Sequence, residues 1–235
     1  MDALTLLAAE PDRAALFFDV DGVLAPIVPH PEDSTVPSAT RRELERLVQS
    51  YALVACVTGR TGEVARTIVG VGGLRYVGQH GLELDPAAAT WTGRVHGFAR
   101  AWPWAWQETK PFTAAYHYRL AADEAEARVE LEAVATAALA EGLRTRWGRM
   151  VLEILPPLAA TKGTAVRHLL AESGLRRALY AGDDTTDLDG FAALDGLDAA
   201  VRVAVVSAEG PSELGERADV LVGSTDAFVE LLKQL

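Results

Sequence analysis

Short apolar runs that stop at a charge or a glycine alternate along the chain with stretches whose apolar positions recur every three or four residues. AALFFD at 14–19 is such a run, and its end in a carboxylate and a glycine turn predicts a central strand feeding a loop. After a proline-rich loop at 26–37, SATRRELERLVQS puts Ser38 at a helix N-cap and Leu44, Leu47 and Val48 on one helical face. A strand over 51–57 stops at TGR, 58–60, and a helix over 61–69 follows. The same rhythm returns later, with a helix over 162–173, a strand over 178–181 and an acidic loop, GDDTTDLDG, at 182–190. Strands over 201–206 and 219–222 and a helix over 224–234 close the chain. This order predicts an α/β fold, a parallel sheet covered by helices on both faces.

Between the two α/β blocks the pattern changes. Four of the five tryptophans lie between 91 and 106, FTAAYHYRL at 112–120 alternates like a half-buried strand, and an alanine-rich helix follows over 123–141. LRTRW and MVLEIL then pair as a hairpin through Gly148. A strand pair, a helix and a second strand pair make a small α+β unit, inserted between Pro86 and Pro156-Pro157 where proline interrupts regular structure. The expected division is a core of residues 1–85 and 158–235 and an insert of residues 86–157, most of whose tryptophans fill its own core.

Composition narrows the function. An apolar share of 49% supports a packed core, and 22 Lys plus Arg against 33 Asp plus Glu give a net charge of −11. That balance argues against nucleic acid or an anionic membrane as partner, since both need a basic patch. The lone cysteine, Cys56, sits in an apolar run and reads as buried filler. His30, His96 and His168 lack ligand spacing, so zinc is not expected. The opening segment lacks a basic n-region, and no apolar stretch is long enough to span a bilayer, so a cytoplasmic protein is expected.

The candidate chemistry sits where strands end or helices begin. In FFDVDGVLAPI, a strand continuing through residue 21 would turn Asp19 and Asp21 to one side, and their repulsion would call for a hard cation. An Asx-type turn is the other reading of the same residues. In an open parallel sheet, ligands gather beyond the carboxyl ends of the strands, which would bring Asp19, Thr58 and the acidic loop of Asp183, Asp184 and Asp187 together. Together these suit Mg2+ held by Asp19 and Asp183. Thr58 could equally be a helix N-cap with Gly59 allowing its turn. Lys162 could be solvated surface at a helix start, but a positive charge in a first helical turn opposes the helix dipole and needs some compensation, which a bound phosphate would provide.

DVDGVL, TGR, KG and GDDTTD stand in the order of the four motifs of the haloacid dehalogenase-like phosphohydrolases. Through YVGQHGLEL (76–84), KPFTAAYHYR (110–119) and GRMVLEILPPLAATKG (148–163), the chain resembles the trehalose-6-phosphate phosphatases over nearly its whole length. The resemblance implies a Rossmann-like core of haloacid dehalogenase type with an α+β cap. It implies Mg2+-dependent hydrolysis of trehalose 6-phosphate through an aspartyl-phosphate, and a functional link to a trehalose-6-phosphate synthase. Asp19 would be the nucleophile and Asp21 the acid and base. Asp19, the backbone carbonyl of Asp21, and Asp183 would hold the metal, with Asp184 and Asp187 supporting it from behind or through water. Thr58, Gly59 and Lys162 match phosphate-binding positions. Arg60, Gln79, His80, Lys110, His117, Arg119 and Glu153 match substrate-binding ones. Two departures touch the sugar: Gln79 stands in a GNHG-like turn, and Leu155 stands where an arginine commonly follows the cap glutamate by two positions. Another sugar phosphate, such as a mannosyl phosphoglycerate or a trehalose-like analogue, is the alternative substrate. A non-catalytic sugar-phosphate-binding regulatory protein is the alternative class.

Overall fold

The computed structural model describes residues 2–148, 150–207 and 210–235. The chain divides into two compact units, one built from residues 1–81 and 160–235, the other from residues 82–159. The first segment of the larger unit contains α1 (Ala3–Ala9), β1 (Ala15–Phe18), α2 (Ser38–Ser50), β2 (Leu53–Val57), α3 (Gly62–Val69) and β3 (Arg75–Val77). The smaller unit holds α4 (Ala88–Ala101), β4 (Gln107–Thr109), β5 (Ala114–His117), α5 (Glu124–Ala140), β6 (Arg144–Gly148) and β7 (Val151–Leu155). The larger unit resumes with α6 (Lys162–Ser173), β8 (Arg177–Gly182), α7 (Asp187–Ala192), β9 (Ala199–Val205), α8 (Ser212–Arg217), β10 (Val220–Val222) and α9 (Thr225–Leu232).

In the larger unit the described strands form one sheet of order β10-β9-β8-β1-β2-β3, parallel at every pair. Parallel sheets are covered on both faces, so their central strands are apolar throughout, and all of β1 is buried. Leu16, Phe18, Cys56, Leu179 and Val203 of the sheet pack with Leu44, Leu47, Phe228 and Leu232 of the helices. Cys56 is filler in this core.

Local chemistry moves several element ends from where the pattern puts them. Ser38 is the first residue of α2 and not its cap. Pro37, with its φ fixed by the ring and an extended ψ, occupies that position. The strand expected from residue 51 begins at Leu53, because the Tyr51 N–H still bonds the Leu47 carbonyl at 2.8 Å and closes α2. The first strand ends at Phe18, one residue before Asp19.

In the smaller unit an antiparallel sheet of order β4-β5-β7-β6 packs one face on its helices, burying Tyr116, Leu152 and Ile154 against Val95 and Phe98 of α4 and Leu131 and Ala138 of α5. The residue pattern did not reveal α4, whose interior carries Gly93 and Gly97, poor helix formers that blur the periodicity. The tryptophans are divided. Trp91 and Trp104 pack against the core, whereas Trp102 and Trp106 are each 38% exposed, so the expectation that most of them fill it is not met. Among the described residues no helix is long and apolar enough to cross a membrane.

Candidate active site

The carboxyl ends of β8, β1 and β2 are neighbours in the parallel sheet, so the loops that follow them open at one edge. Asp19, first residue after β1, is buried. Its Oδ1 accepts the Val20 N–H at 2.7 Å, and its Oδ2 accepts from Lys162 Nζ at 2.5 Å. Lys162 opens α6, whose start is fixed by a capping box between Thr161 and Thr164. Its charge, unfavourable at a helix N-terminus, is compensated by Asp19 and by Asp187 Oδ1 at 2.7 Å. Asp187 Oδ1 also accepts from the Tyr180 hydroxyl at 2.7 Å, and its Oδ2 accepts the N–H groups of Asp183 and Asp184 at 3.0 Å each. Both oxygens of Asp187 are thus committed to holding the lysine and the acidic loop.

Among the described residues, Asp19, Asp183 and Asp187 form a buried group whose nearest oxygens all lie within 4.8 Å of one another. Burial pushes the Asp19 carboxyl up to about 7, against the pull of Lys162, and Asp187 and Asp21 add to the rise. The Lys162 ammonium is held charged by Asp187 and Asp19 despite its burial. Three carboxylates against one ammonium, with oxygen as the donor atom throughout, fit a hard divalent cation. Gly22, at φ +80°, lies so close that a Cβ there would stand 2.1 Å from Asp183 Oδ2, so glycine is what lets the first loop lie against the acidic one.

The two carboxylates of the DVDG segment do not share one side. Because β1 stops at Phe18, their directions part: Asp19 turns to Lys162, while Asp21 accepts from Arg60 Nε at 2.6 Å, Arg60 Nη2 at 2.8 Å and the Ser34 hydroxyl at 3.0 Å. Asp21 therefore pairs with Arg60 while Asp19 shares Lys162 with Asp187, so the two carboxylates are not turned toward one shared cation by strand alternation. Arg60, matched to a substrate-binding position, is in this structure the partner of Asp21. It also donates to the Pro31 carbonyl at 3.0 Å.

Thr58 is buried at the end of β2, and its hydroxyl accepts the Arg60 N–H at 3.3 Å. It is not the helix cap, since Thr61 holds that place in α3 and accepts the Val64 N–H at 3.2 Å. Gly59 faces the His80 ring, and a Cβ on it would stand 2.5 Å from Nε2. Gln79 and His80 both have left-handed backbones, at φ 49° and 54°, and their N–H groups bond the carbonyls of Arg60 and Thr58 at 2.7 and 2.8 Å. Asp184 lies outside the carboxylate group, its Oδ1 accepting the Thr185 N–H at 2.7 Å.

A second polar cluster occupies the sheet of the smaller unit. Alternation along β7 sends Leu152 and Ile154 into the core and Glu153 to the opposite face, in register with Ala115 and Arg146. Glu153 and Lys110 are buried, with Lys110 Nζ 3.3 Å from Glu153 Oε1. Arg146 donates from Nε and Nη2 to Glu153 Oε2 at 3.0 and 2.7 Å. Glu108 Oε2 lies 3.2 Å from His117 Nε2 and 3.8 Å from Lys110 Nζ, and the His117 hydrogen bond draws its carboxyl below the usual range. Arg119 follows β5, partly buried. Sequence reasoning missed Arg146. The signal was the hairpin register of LRTRW against MVLEIL, which turns a distant arginine into the neighbour of Glu153.

Comparison with known proteins converges on one family. The pattern described as trehalose-phosphatase matches residues 17–219. The trehalose-phosphate phosphatase of Mycolicibacterium paratuberculosis is 34% identical over 203 residues, covering 77% of this chain and 51% of that protein. An uncharacterized glycosyl hydrolase of Mycobacterium tuberculosis is 36% identical over 207 residues, which cover 77% of this chain but only 15% of that longer protein. The chain thus spans about half or less of these relatives' length. A trehalose-6-phosphate phosphatase related protein of known structure is 25% identical and superposes with a TM-score of 0.73 over 93% of this chain and 95% of its own. With its parallel core, inserted antiparallel unit and acid cluster at the strand ends, the chain belongs to the trehalose-phosphatase family.

Proposed function

We propose that this chain hydrolyses trehalose 6-phosphate to trehalose and phosphate through a phosphorylated Asp19. The observation that supports this most directly is Asp19 itself, a buried carboxylate clamped between Lys162 and a backbone N–H beside Asp183. One oxygen of Asp19 attacks phosphorus in line, forming an acyl phosphate as the bond to the sugar oxygen breaks. Asp21 gives that oxygen a proton, then takes one from a water that attacks the same phosphorus and releases phosphate and free Asp19. Asp21 therefore has to exchange a proton beside Arg60, whose two-pronged grip fixes the direction of its carboxyl group. Lys162 and Thr58 bind oxygens of the transferring group. Asp19, Asp183 and the Asp21 carbonyl would hold Mg2+, which supplies positive charge toward the phosphoryl group.

In this proposal Glu153, Lys110 and His117 read the hydroxyls of the disaccharide, with Gln79, His80 and Arg119 in supporting contacts. A polar sugar needs matched donors and acceptors more than an apolar hole, and this cluster supplies both. The substrate is the product of a trehalose-6-phosphate synthase, which would supply it. The test is phosphate release from a panel of trehalose 6-phosphate, mannosyl phosphoglycerate, glucose 6-phosphate and p-nitrophenyl phosphate, with Mg2+ and with EDTA. Trehalose 6-phosphate is expected to give the highest kcat/KM, EDTA to abolish turnover, and added Mg2+ to restore it. A higher kcat/KM on another sugar phosphate overturns the substrate, and binding without release overturns the enzyme.

A further inference from the structure

We infer that Arg146 positions Glu153 for sugar recognition, and that an arginine at position 155 could do the same work from along the strand. The inference rests on the trehalose 6-phosphate reading and assigns it a residue that the motifs do not contain. Side chains two apart on a strand share a face, so an arginine at position 155 would stand beside Glu153 along β7. Arg146 stands beside it across the sheet, directly opposite in the β6–β7 register. From there Nε and Nη2 both reach Oε2, at 3.0 and 2.7 Å, while Lys110 Nζ approaches Oε1 at 3.3 Å. A carboxylate held from both ends has a fixed plane, which hydroxyl donors need if they are to pair with it.

Arg144, two residues earlier on the same face and opposite Leu155 itself, does not take this place. Its guanidinium donates to the Leu158 carbonyl. Leu155 is buried and places an apolar side chain on this face beside Glu153. Arg146 sets two basic side chains, its own and that of Lys110, against the two carboxylates Glu108 and Glu153.

The experiment compares Arg146→Ala, Arg146→Lys and Arg146→Ala with Leu155→Arg on trehalose 6-phosphate and p-nitrophenyl phosphate. Arg146→Ala is expected to lower the ratio of the two kcat/KM values about tenfold, chiefly through KM for the sugar phosphate. Arg146→Lys should recover little, because a point charge lacks the fork. Leu155→Arg in the alanine background should restore most of the ratio. Equal losses on both substrates would make Arg146 a structural residue, and full recovery by lysine with none from Leu155→Arg would replace the fork by simple charge; either overturns the inference. Should the alanine variant fail to unfold cooperatively, Arg146→Gln is measured in its place, with the same outcomes. If wild type prefers another sugar phosphate, the ratio is taken on that one. A drop there overturns only the substrate, whereas wild type that hydrolyses no sugar phosphate overturns both.

Discussion

The polar clusters of the two units balance their charge differently. Around Asp19, three carboxylates meet one ammonium, and the bond that ties the group together joins residues 143 apart in sequence. Around Glu153, two carboxylates meet Lys110 and Arg146, with His117 at the edge, and the tightest bond joins residues 7 apart across a hairpin. The first set keeps an excess of negative charge that a divalent cation would complete. The second is balanced and suits an uncharged ligand rich in hydroxyls. The proposed reactive groups are fixed where several parallel strands end, so each depends on distant chain. The proposed recognition groups stand on one sheet face, where a neighbouring strand can supply a partner such as Arg146.

The harshest way to break this comparison is Asp19→Asn. It removes the oxygen proposed to attack phosphorus with almost no change of shape, so turnover of trehalose 6-phosphate and of p-nitrophenyl phosphate should both vanish while circular dichroism stays native. Substantial activity in the pure variant would mean that another residue attacks phosphorus.

Lys162→Met separates stability from chemistry. It strands Asp19 and Asp187 without their cation, and breaking a buried pair in this way costs about 3–5 kcal/mol. Thermal unfolding should show Tm lowered by roughly 2–4 °C for each kcal/mol, together with loss of activity. Metal-free wild type offers a check of sign. The folded state raises the Asp19 carboxyl from 3.8 to about 7, so across that window the native protein holds a proton that the unfolded chain has released. Stability from this group therefore falls as pH rises from about 4 to about 7. A Tm that climbs through this range in wild type, but not in Asp19→Asn, would contradict the assigned environment.

Glu153→Ala should have the smallest effect and discriminate best. Unpaired sugar hydroxyls cost about 1–3 kcal/mol, so kcat/KM for trehalose 6-phosphate should fall about tenfold or more. The loss on p-nitrophenyl phosphate, which lacks those hydroxyls, should be several-fold smaller. Parallel losses would assign Glu153 to the fold of its unit.

Much of this arrangement can be read in the chain before the structure. Apolar runs that end in Asp19, Thr58 and Asp183 mark the strand ends, because parallel strands are buried throughout and change character abruptly. What stays hidden depends on pairing. The division of Asp19 and Asp21 between Lys162 and Arg60 follows from a strand that stops at Phe18, before either carboxylate, and the pairing of Arg146 with Glu153 follows from hairpin register. Helix α4 is obscured by glycines that only its packing against Tyr116 and Ile154 overrides.

Strand order also fixes a timetable for biosynthesis. The central strand β1 lies between β2, made soon afterwards, and β8, made only after residues 82–159 have been synthesised. A ribosome releases that intervening segment as one continuous stretch holding its own helices and sheet, free to collapse as soon as it emerges. The larger sheet must meanwhile wait with one side of β1 unpaired, an apolar edge exposed to chance partners until Arg177–Gly182 arrives.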